Sequence, residues 1–314
     1  MKIKKPKFWD SKKISLISYS LLPFSKIVEL ISKYNFKKRK KLSGIKSICV
    51  GNIYIGGTGK TSLAIEIKKI LDANNIKSCF IKKLYSDQTD EKLILEEYGE
   101  VFVNHSRKSA LYQAMEKDYK IAIFDDGLQD KELLYDLSIV CFNKKNEIGN
   151  GLVLPAGPLR EKLDDIKNYQ LIVLNGNDEN NLDFKKLLLS LNKDASIFET
   201  KYILKNLKEF NLNNRYLAFS GIGNHKTFIE MLNKYNFEIS KDLEFPDHYE
   251  YNQKDIENIN LLAEKENLKI LTTKKDFFRI SSNDKKNLRY IDIELNINNY
   301  ENFEKEILKI NAIN

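Results

Sequence analysis

The residues best suited to chemistry lie between Gly51 and Thr61, in the stretch "GNIYIGGTGKT". Gly56, Gly57, Thr58 and Gly59 follow an apolar run, and Lys60-Thr61 open a segment with helical spacing. Glycines there let backbone N–H groups close on a polyphosphate, and the helix N-terminus adds partial positive charge. In such a loop Lys60 reaches the β- and γ-phosphates and the Thr61 hydroxyl ligates Mg²⁺. The strict pattern would put a further glycine at 54, where this chain has Tyr54. A glycine turn beside an incidental lysine is the competing reading, and the strand–turn–helix context argues against it. A second apolar run, "KIAIFDDGLQD", ends in Asp125-Asp126. Carboxylates at the end of a strand beside the loop strand are where Mg²⁺ is held in this class, although Asp-Gly also closes turns by itself.

Three other stretches carry reactive side chains. "GNGLVLPAGPLRE" ends in Arg160-Glu161, "FPDHYEY" contains Asp247-His248, and "SDQTDEKLILEEYG" places Asp90-Glu91 at the start of a helical pattern. The chain has only three histidines: His105, His225 and His248.

The elements that must position these residues are short apolar runs alternating with helical patterns. Strands are expected at 46–51, 77–84, 100–104, 120–125, 137–143 and 169–175, with helices at 60–73 and 106–117. Such alternation predicts an α/β fold of the P-loop NTPase-like kind, a mainly parallel sheet with helices on both faces. A second series of strands (196–204, 215–221, 238–245, 269–273, 288–297) with helices at 226–235 and 253–266 predicts a smaller second α/β lobe. The polar run "NGNDENN" puts a boundary near 165–185, giving an arm at 1–45, a nucleotide-binding domain at 46–170 and a second lobe at 171–314.

The net charge of +8 is unevenly spread. Residues 1–46 carry 14 basic and 2 acidic side chains, a charge of +12, and the rest carries −4. Within the arm, Ile14, Ile17, Leu21, Phe24, Val28 and Ile31 recur at helical spacing, Trp9 precedes them, and "KKRKK" follows at Lys37–Lys41. Pro23 is expected to divide the helix in two. The arm reads either as a helix packed on the domain or as an interfacial anchor on anionic lipid. Its basic residues flank an apolar stripe, which argues against nucleic acid as the partner. No apolar run is long enough to span a bilayer, and no secretory leader is evident. Cys49, Cys79 and Cys141 lie in strand-like runs without metal or redox spacing, so reduced core cysteines are expected. Nothing in the sequence names a protein partner.

Taken in order, "VGNIYIGGTGKT", "TDEKLIL", "FDDGLQ", "GNGLVLPAGPLRE", "FSGIGN", "FPDHYEY" and "LTTKKD" resemble the tetraacyldisaccharide 4′-kinase family, whose loop also reads GGTGKT without the first glycine. The resemblance spans residues 50–276. It implies transfer of the ATP γ-phosphate to the 4′-hydroxyl of an acylated glucosamine disaccharide 1-phosphate, in lipid A biosynthesis. It also implies a peripheral protein on the cytoplasmic face of the bacterial inner membrane. By that likeness Lys60 and Thr61 take the phosphates and Mg²⁺, and Asp125 and Asp126 organise the metal. Asp90 assists deprotonation of the sugar hydroxyl, paired with His248. Arg107, Gln129 and Arg160 are candidates for substrate or phosphate contacts. The chain departs from the family in three places. Its loop after the second strand, "FIKKLYSDQTDE", is short and lacks an arginine, leaving Lys82 or Lys83 to supply charge; TDEK stands for GDEP; and Lys274 replaces a carboxylate. The competing class is a nucleotide-switch ATPase or GTPase of the partitioning or metal-insertion kind, which needs neither the LPAGPLRE stretch nor the Asp-His pair.

Overall fold

The computed structural model describes residues 5–85, 89–177, 181–281 and 284–312. Two compact units emerge: unit 1 comprises residues 1–84, 98–202 and 295–314, and unit 2 comprises 85–97 and 203–294.

Unit 1 is built on an eight-stranded sheet. In spatial order its strands are Ile293–Ile297, Ser196–Leu204, Leu171–Asn175, Leu137–Asn143, Lys46–Gly51, Ile121–Asp125, Ser78–Lys83 and Val101–Asn104. The seven from Ser196–Leu204 onward pair in parallel. Ile48, Cys49 and Val50 are consecutive and fully buried, as are Ile121 to Phe124. Successive side chains point to opposite faces, so burial of consecutive residues means both faces are covered. The central position of Lys46–Gly51 puts the phosphate-loop strand where its C-terminal end is flanked by Ile121–Asp125 on one side and Leu137–Asn143 on the other. The three cysteines are free and buried, and desolvation pushes the Cys79 thiol up to about 12.

Unit 2 carries a four-stranded parallel sheet in the order Glu238–Glu244, Arg215–Ser220, Lys269–Thr273, Leu288–Ile291. Its core gathers Leu217, Phe219, Ile256, Ile259 and Ile270.

The structure revises three sequence-based expectations. The boundary read at 170 falls inside the large sheet. The apolar runs 171–175 and 196–204 need a neighbour on each side, and a polar turn between strands does not end a sheet. The segment Thr89–Glu96, expected with the phosphate loop, belongs to unit 2. Pro23 does not divide the arm, which forms one helix, Leu16–Lys38. Proline removes one backbone bond from a helix interior. Tertiary anchoring offsets that loss here: the buried Ser25 hydroxyl donates to the Val153 carbonyl (2.7 Å) and accepts from the Ala156 N–H (3.1 Å), while Val28 packs on the core. The shortened loop at 82–90 and the "NGNDENN" turn each run partly through positions outside the described residues (86–88 and 178–180).

Candidate active site

The phosphate loop leaves the strand Lys46–Gly51 and enters the helix Lys60–Ala73 at Gly59, whose φ is +87°. A Cβ at Gly59 would lie 2.3 Å from Asn175 Nδ2 and 2.9 Å from Tyr202 Oη, so both the backbone angle and the packing require glycine. Tyr54 is tolerated at the usual glycine position because the chain is extended there. It bridges antiparallel to Leu159, buries its ring, and accepts from Asn52 Nδ2 at 2.7 Å through its carbonyl. Its hydroxyl donates to Asp10 at 2.5 Å.

Behind the loop, Thr61 Oγ1 donates to Asp125 Oδ2 at 3.2 Å, and Lys82 Nζ reaches the same oxygen at 2.9 Å. Lys82 and Asp125 are almost fully buried. The charge of Lys82 is thus engaged with Asp125 beneath the loop. Asp125 Oδ1 is buried without a hydrogen-bond partner, as is Thr58 Oγ1. A buried carboxylate oxygen left unpaired beside a threonine hydroxyl fits a hard cation that takes few protein oxygens and completes its shell with water and phosphate. Among the described residues no group of three or more His, Cys, Asp or Glu could hold a metal ion.

Asp126 sits at φ +59° with its N–H bonded to the Val50 carbonyl (2.8 Å). Burial opposes its charged form, but Lys60, Arg160 and Arg107 outweigh that and hold the carboxyl below the ordinary aspartate value. Lys60 Nζ is 4.0 Å from Asp126 Oδ1, and Arg160 donates to the same oxygen at 2.9 Å. Arg160 also donates to Gln129 Oε1 (3.1 Å), and Gln129 Nε2 donates to the Asn52 carbonyl (3.0 Å). Arg107 is buried, donating to the Asp126 carbonyl and to Asp130 at 3.3 Å. Arg107, Gln129 and Arg160, expected at the substrate or phosphates, are joined in this structure to Asp126, Asp130 and the Asn52 carbonyl within unit 1. Asn175 and Tyr202 escaped sequence reasoning, since only packing against Gly59 reveals them.

Unit 2 holds the other reactive residues, and it adds one the sequence gave no reason to single out. Arg279 Nη2 donates to Asp90 Oδ2 at 2.6 Å and lies 3.3 Å from His248 Nδ1. Its Nη1 donates to the Gly221 carbonyl (2.7 Å) and to Asp276 Oδ1 (3.1 Å). Asp276 is fully buried, and desolvation raises its pKa despite hydrogen bonds from Thr273 and Gly221 and the charge of Arg279. The expected two-membered carboxylate–imidazole pair is thus a cluster with a guanidinium touching both members. Because Asp90 and His248 lie in one unit, no movement of two halves of the chain is needed to bring them together. Lys274, which stands for a carboxylate, meets Glu97 at 2.5 Å and Asp292 at 3.4 Å, so acidic partners take up its charge.

A central strand, glycine loop and helix with a strand-end aspartate on the loop threonine define a P-loop nucleotide-binding protein. The family model of LpxK, tetraacyldisaccharide-1-P 4′-kinase, matches residues 17–312, and the chain belongs to that family. The tetraacyldisaccharide 4′-kinase of Pelagibacter ubique (strain HTCC1062) is 51% identical over the full length of both chains. That of Rickettsia akari (strain Hartford) is 33% identical over 98% of each. The crystal structure of LpxK from Aquifex aeolicus in complex with ATP is 25% identical, with a TM-score of 0.71 over 94% of this chain and 99% of that one. Family membership decides between the two classes left open by the sequence: the chain is a phosphotransferase rather than a nucleotide switch.

Proposed function

We propose that this chain works as follows. It is an ATP-dependent kinase that transfers the γ-phosphate to the 4′-hydroxyl of tetraacyldisaccharide 1-phosphate. The observation that carries the reading is the loop geometry, Thr61 on Asp125 with Lys60 beside Asp126, in a chain that matches the family over residues 17–312. Phosphoryl transfer asks little covalent chemistry of a protein; positioning and charge dominate the barrier. Gly56 to Gly59 offer backbone N–H groups to the phosphates, and Lys60 neutralises charge on the β- and γ-oxygens. Thr61 and Asp125 would hold Mg²⁺, with Asp126 placed beside them. When bound, the ion draws charge from the phosphate oxygens. Arg160, Gln129 and Arg107 keep Asp126 and the loop in register.

A sugar hydroxyl is a poor nucleophile and needs a positioned base. Asp90, with His248 beside it, takes the proton of the 4′-hydroxyl as the new P–O bond forms and the bond to ADP breaks. Purified protein given γ-labelled ATP, Mg²⁺ and tetraacyldisaccharide 1-phosphate should yield a bis-phosphorylated lipid. Absence of labelled lipid would overturn the reading.

The helix Leu16–Lys38 supports a further reading, docking of unit 1 on the cytoplasmic face of the inner membrane. Its polarity is reversed for a soluble helix. Ser18 and Ser25 face inward and are buried, while Leu16 (87% exposed), Ile17, Phe24, Ile27, Leu30 (68%), Ile31 and Tyr34 face solvent. A run of apolar side chains this exposed marks an interaction surface, and lysines at 12, 13, 26, 33, 37 and 38 surround it. That combination suits an acyl boundary with anionic headgroups. Among the described residues no helix is long and apolar enough to cross a membrane.

A further inference from the structure

The geometry points to Arg279 as a positioning residue that divides labour between Asp90 and His248, leaving Asp90 as the proton acceptor and fixing His248 as a donor. This deepens the reading of Asp90 and His248 as the machinery that activates the sugar hydroxyl, and it rests on that reading.

Arg279 ends the short helix Lys274–Arg279, whose N-cap Thr273 accepts from the Asp276 N–H. Thr273 Oγ1 also donates to Asp276 Oδ2 at 2.6 Å, which fixes that carboxylate. Asp276 Oδ1 then receives the Gly221 N–H (3.0 Å), the Tyr251 hydroxyl (3.0 Å) and Arg279 Nη1. The planar guanidinium is therefore held along one edge, by Asp276 and the Gly221 carbonyl, and presents Nη2 to Asp90 and His248. The same Gly221 carbonyl accepts the backbone N–H of His248 at 3.0 Å, at a residue held in the left-handed region (φ +55°). Backbone and ring of His248 are thus referred to the same frame as Arg279. A rigid fork of donors can hold four acceptors in this way; a lysine ammonium cannot.

The chemical consequence follows from what each group can do. Guanidinium has donors only and stays charged. The His248 nitrogen facing it, Nδ1, can meet such a donor only as an acceptor, which assigns the tautomer with the proton on Nε2. On the carboxylate, Arg279 occupies Oδ2, and Oδ1 keeps the lone pair that accepts the hydroxyl proton. The proton passes from the 4′-hydroxyl to Asp90 Oδ1, the 4′-oxygen bonds to the γ-phosphorus, and ADP leaves with the electrons of the broken P–O bond.

The test pairs a spectroscopic readout with kinetics on the full-length protein. ¹⁵N-histidine NMR, with His248 assigned from the spectrum of His248→Gln, should show His248 as the Nε2–H tautomer. Arg279→Ala should lose that single tautomer and lower kcat about 10²-fold, the scale of a misplaced reacting group, with ATP affinity unchanged by calorimetry. Arg279→Lys should recover only about a tenth of wild-type kcat, and guanidinium ion at tens of millimolar should partly rescue Arg279→Ala but not wild type. An Nδ1–H tautomer in the wild type, or wild-type kcat in Arg279→Lys, overturns the inference. If Arg279→Ala does not fold, the wild-type tautomer and the lysine variant still decide. Asp90→Ala and His248→Ala run alongside separate the two failures. Full activity in both removes the catalytic reading itself, whereas impairment there with a fully active Arg279→Lys removes only the role of Arg279.

Discussion

The polar cluster of unit 1 and that of unit 2 are assembled in opposite ways. Around the phosphate loop, six consecutive residues and one strand end supply most of the groups, and adjacent parallel strands bring Thr61 and Asp125 to 3.2 Å. In unit 2, Asp90, Gly221, His248, Asp276 and Arg279 come from four separated segments, joined through one guanidinium. A site made by local chain geometry tolerates change in its surroundings but not in its backbone. A site made by a hub fails when the hub is lost.

The largest effects are expected in unit 1. Lys60→Ala should lower kcat by about 10³–10⁵, the scale of a cation on the transferring phosphate, with no change in thermal unfolding. Asp125→Asn should match that loss and in addition destabilise unit 1 by about 3–5 kcal/mol, because buried Lys82 loses its counter-charge. Equal stability of the two variants in denaturant titrations would show that the Lys82–Asp125 pair is not the structural element it is taken to be here.

Next come Asp90→Ala and His248→Ala, each expected to cost about 10²–10⁴ in kcat with unaltered ATP affinity. The double variant should be scarcely slower than the worse single one, since groups acting as a unit are non-additive. Multiplicative losses in a double-mutant cycle would break the picture of a shared hub.

Gly59→Ala probes the backbone rule. With φ at +87° and Asn175 at 2.3 Å from the added carbon, the loop must shift, and ATP affinity should fall tenfold or more, on the order of the 1–3 kcal/mol stored in such a strained position. Calorimetric titration with ATP measures it, and unchanged affinity would show the loop to be pliable.

A smaller, pH-dependent effect is expected at Glu161, beside Arg160. Burial raises its pKa from 4.5 to about 7, against the hydrogen bond from Tyr169. The folded state therefore binds this proton more tightly than the unfolded chain. Its contribution is fully present below pH 4.5 and is lost as pH rises to about 7, a change of roughly 3 kcal/mol. Unfolding free energies measured across that window should fall with pH in the wild type and less steeply in Glu161→Gln. Parallel slopes would mean that Glu161 titrates as an ordinary carboxylate.

The smallest effect on chemistry belongs to the arm. Removing residues 1–35 would strip Ser25, Val28 and Asp10 from unit 1 as well as any lipid contact, so the outer face is better altered alone. Leu16→Glu with Leu30→Glu should weaken binding to anionic liposomes about tenfold or more, by the loss of buried leucine surface, while turnover of detergent-dispersed lipid stays unchanged. Equal sedimentation with liposomes would remove the docking surface.

Much of this was legible without coordinates. The alternation of apolar runs and helical patterns, the glycine loop opening a helix, and the aspartates closing a strand depend on spacing within a few residues, where backbone geometry is dictated locally. The same holds for the stripe of apolar residues in the arm. Sequence alone could not say which way that stripe faces, because a helix period is the same whether its apolar side meets protein or lipid. It could not assign the segment 89–96 to unit 2, because a helix of eight residues has no stable partner until the chain around it folds. Nor could it reveal Arg279, one of many basic residues, whose meaning comes entirely from a carboxylate 189 positions away and a histidine 31 positions away. Local residue types and periods determined the elements and the phosphate loop; the long-range packing that desolvates and pairs charges decided which side chains form the second site.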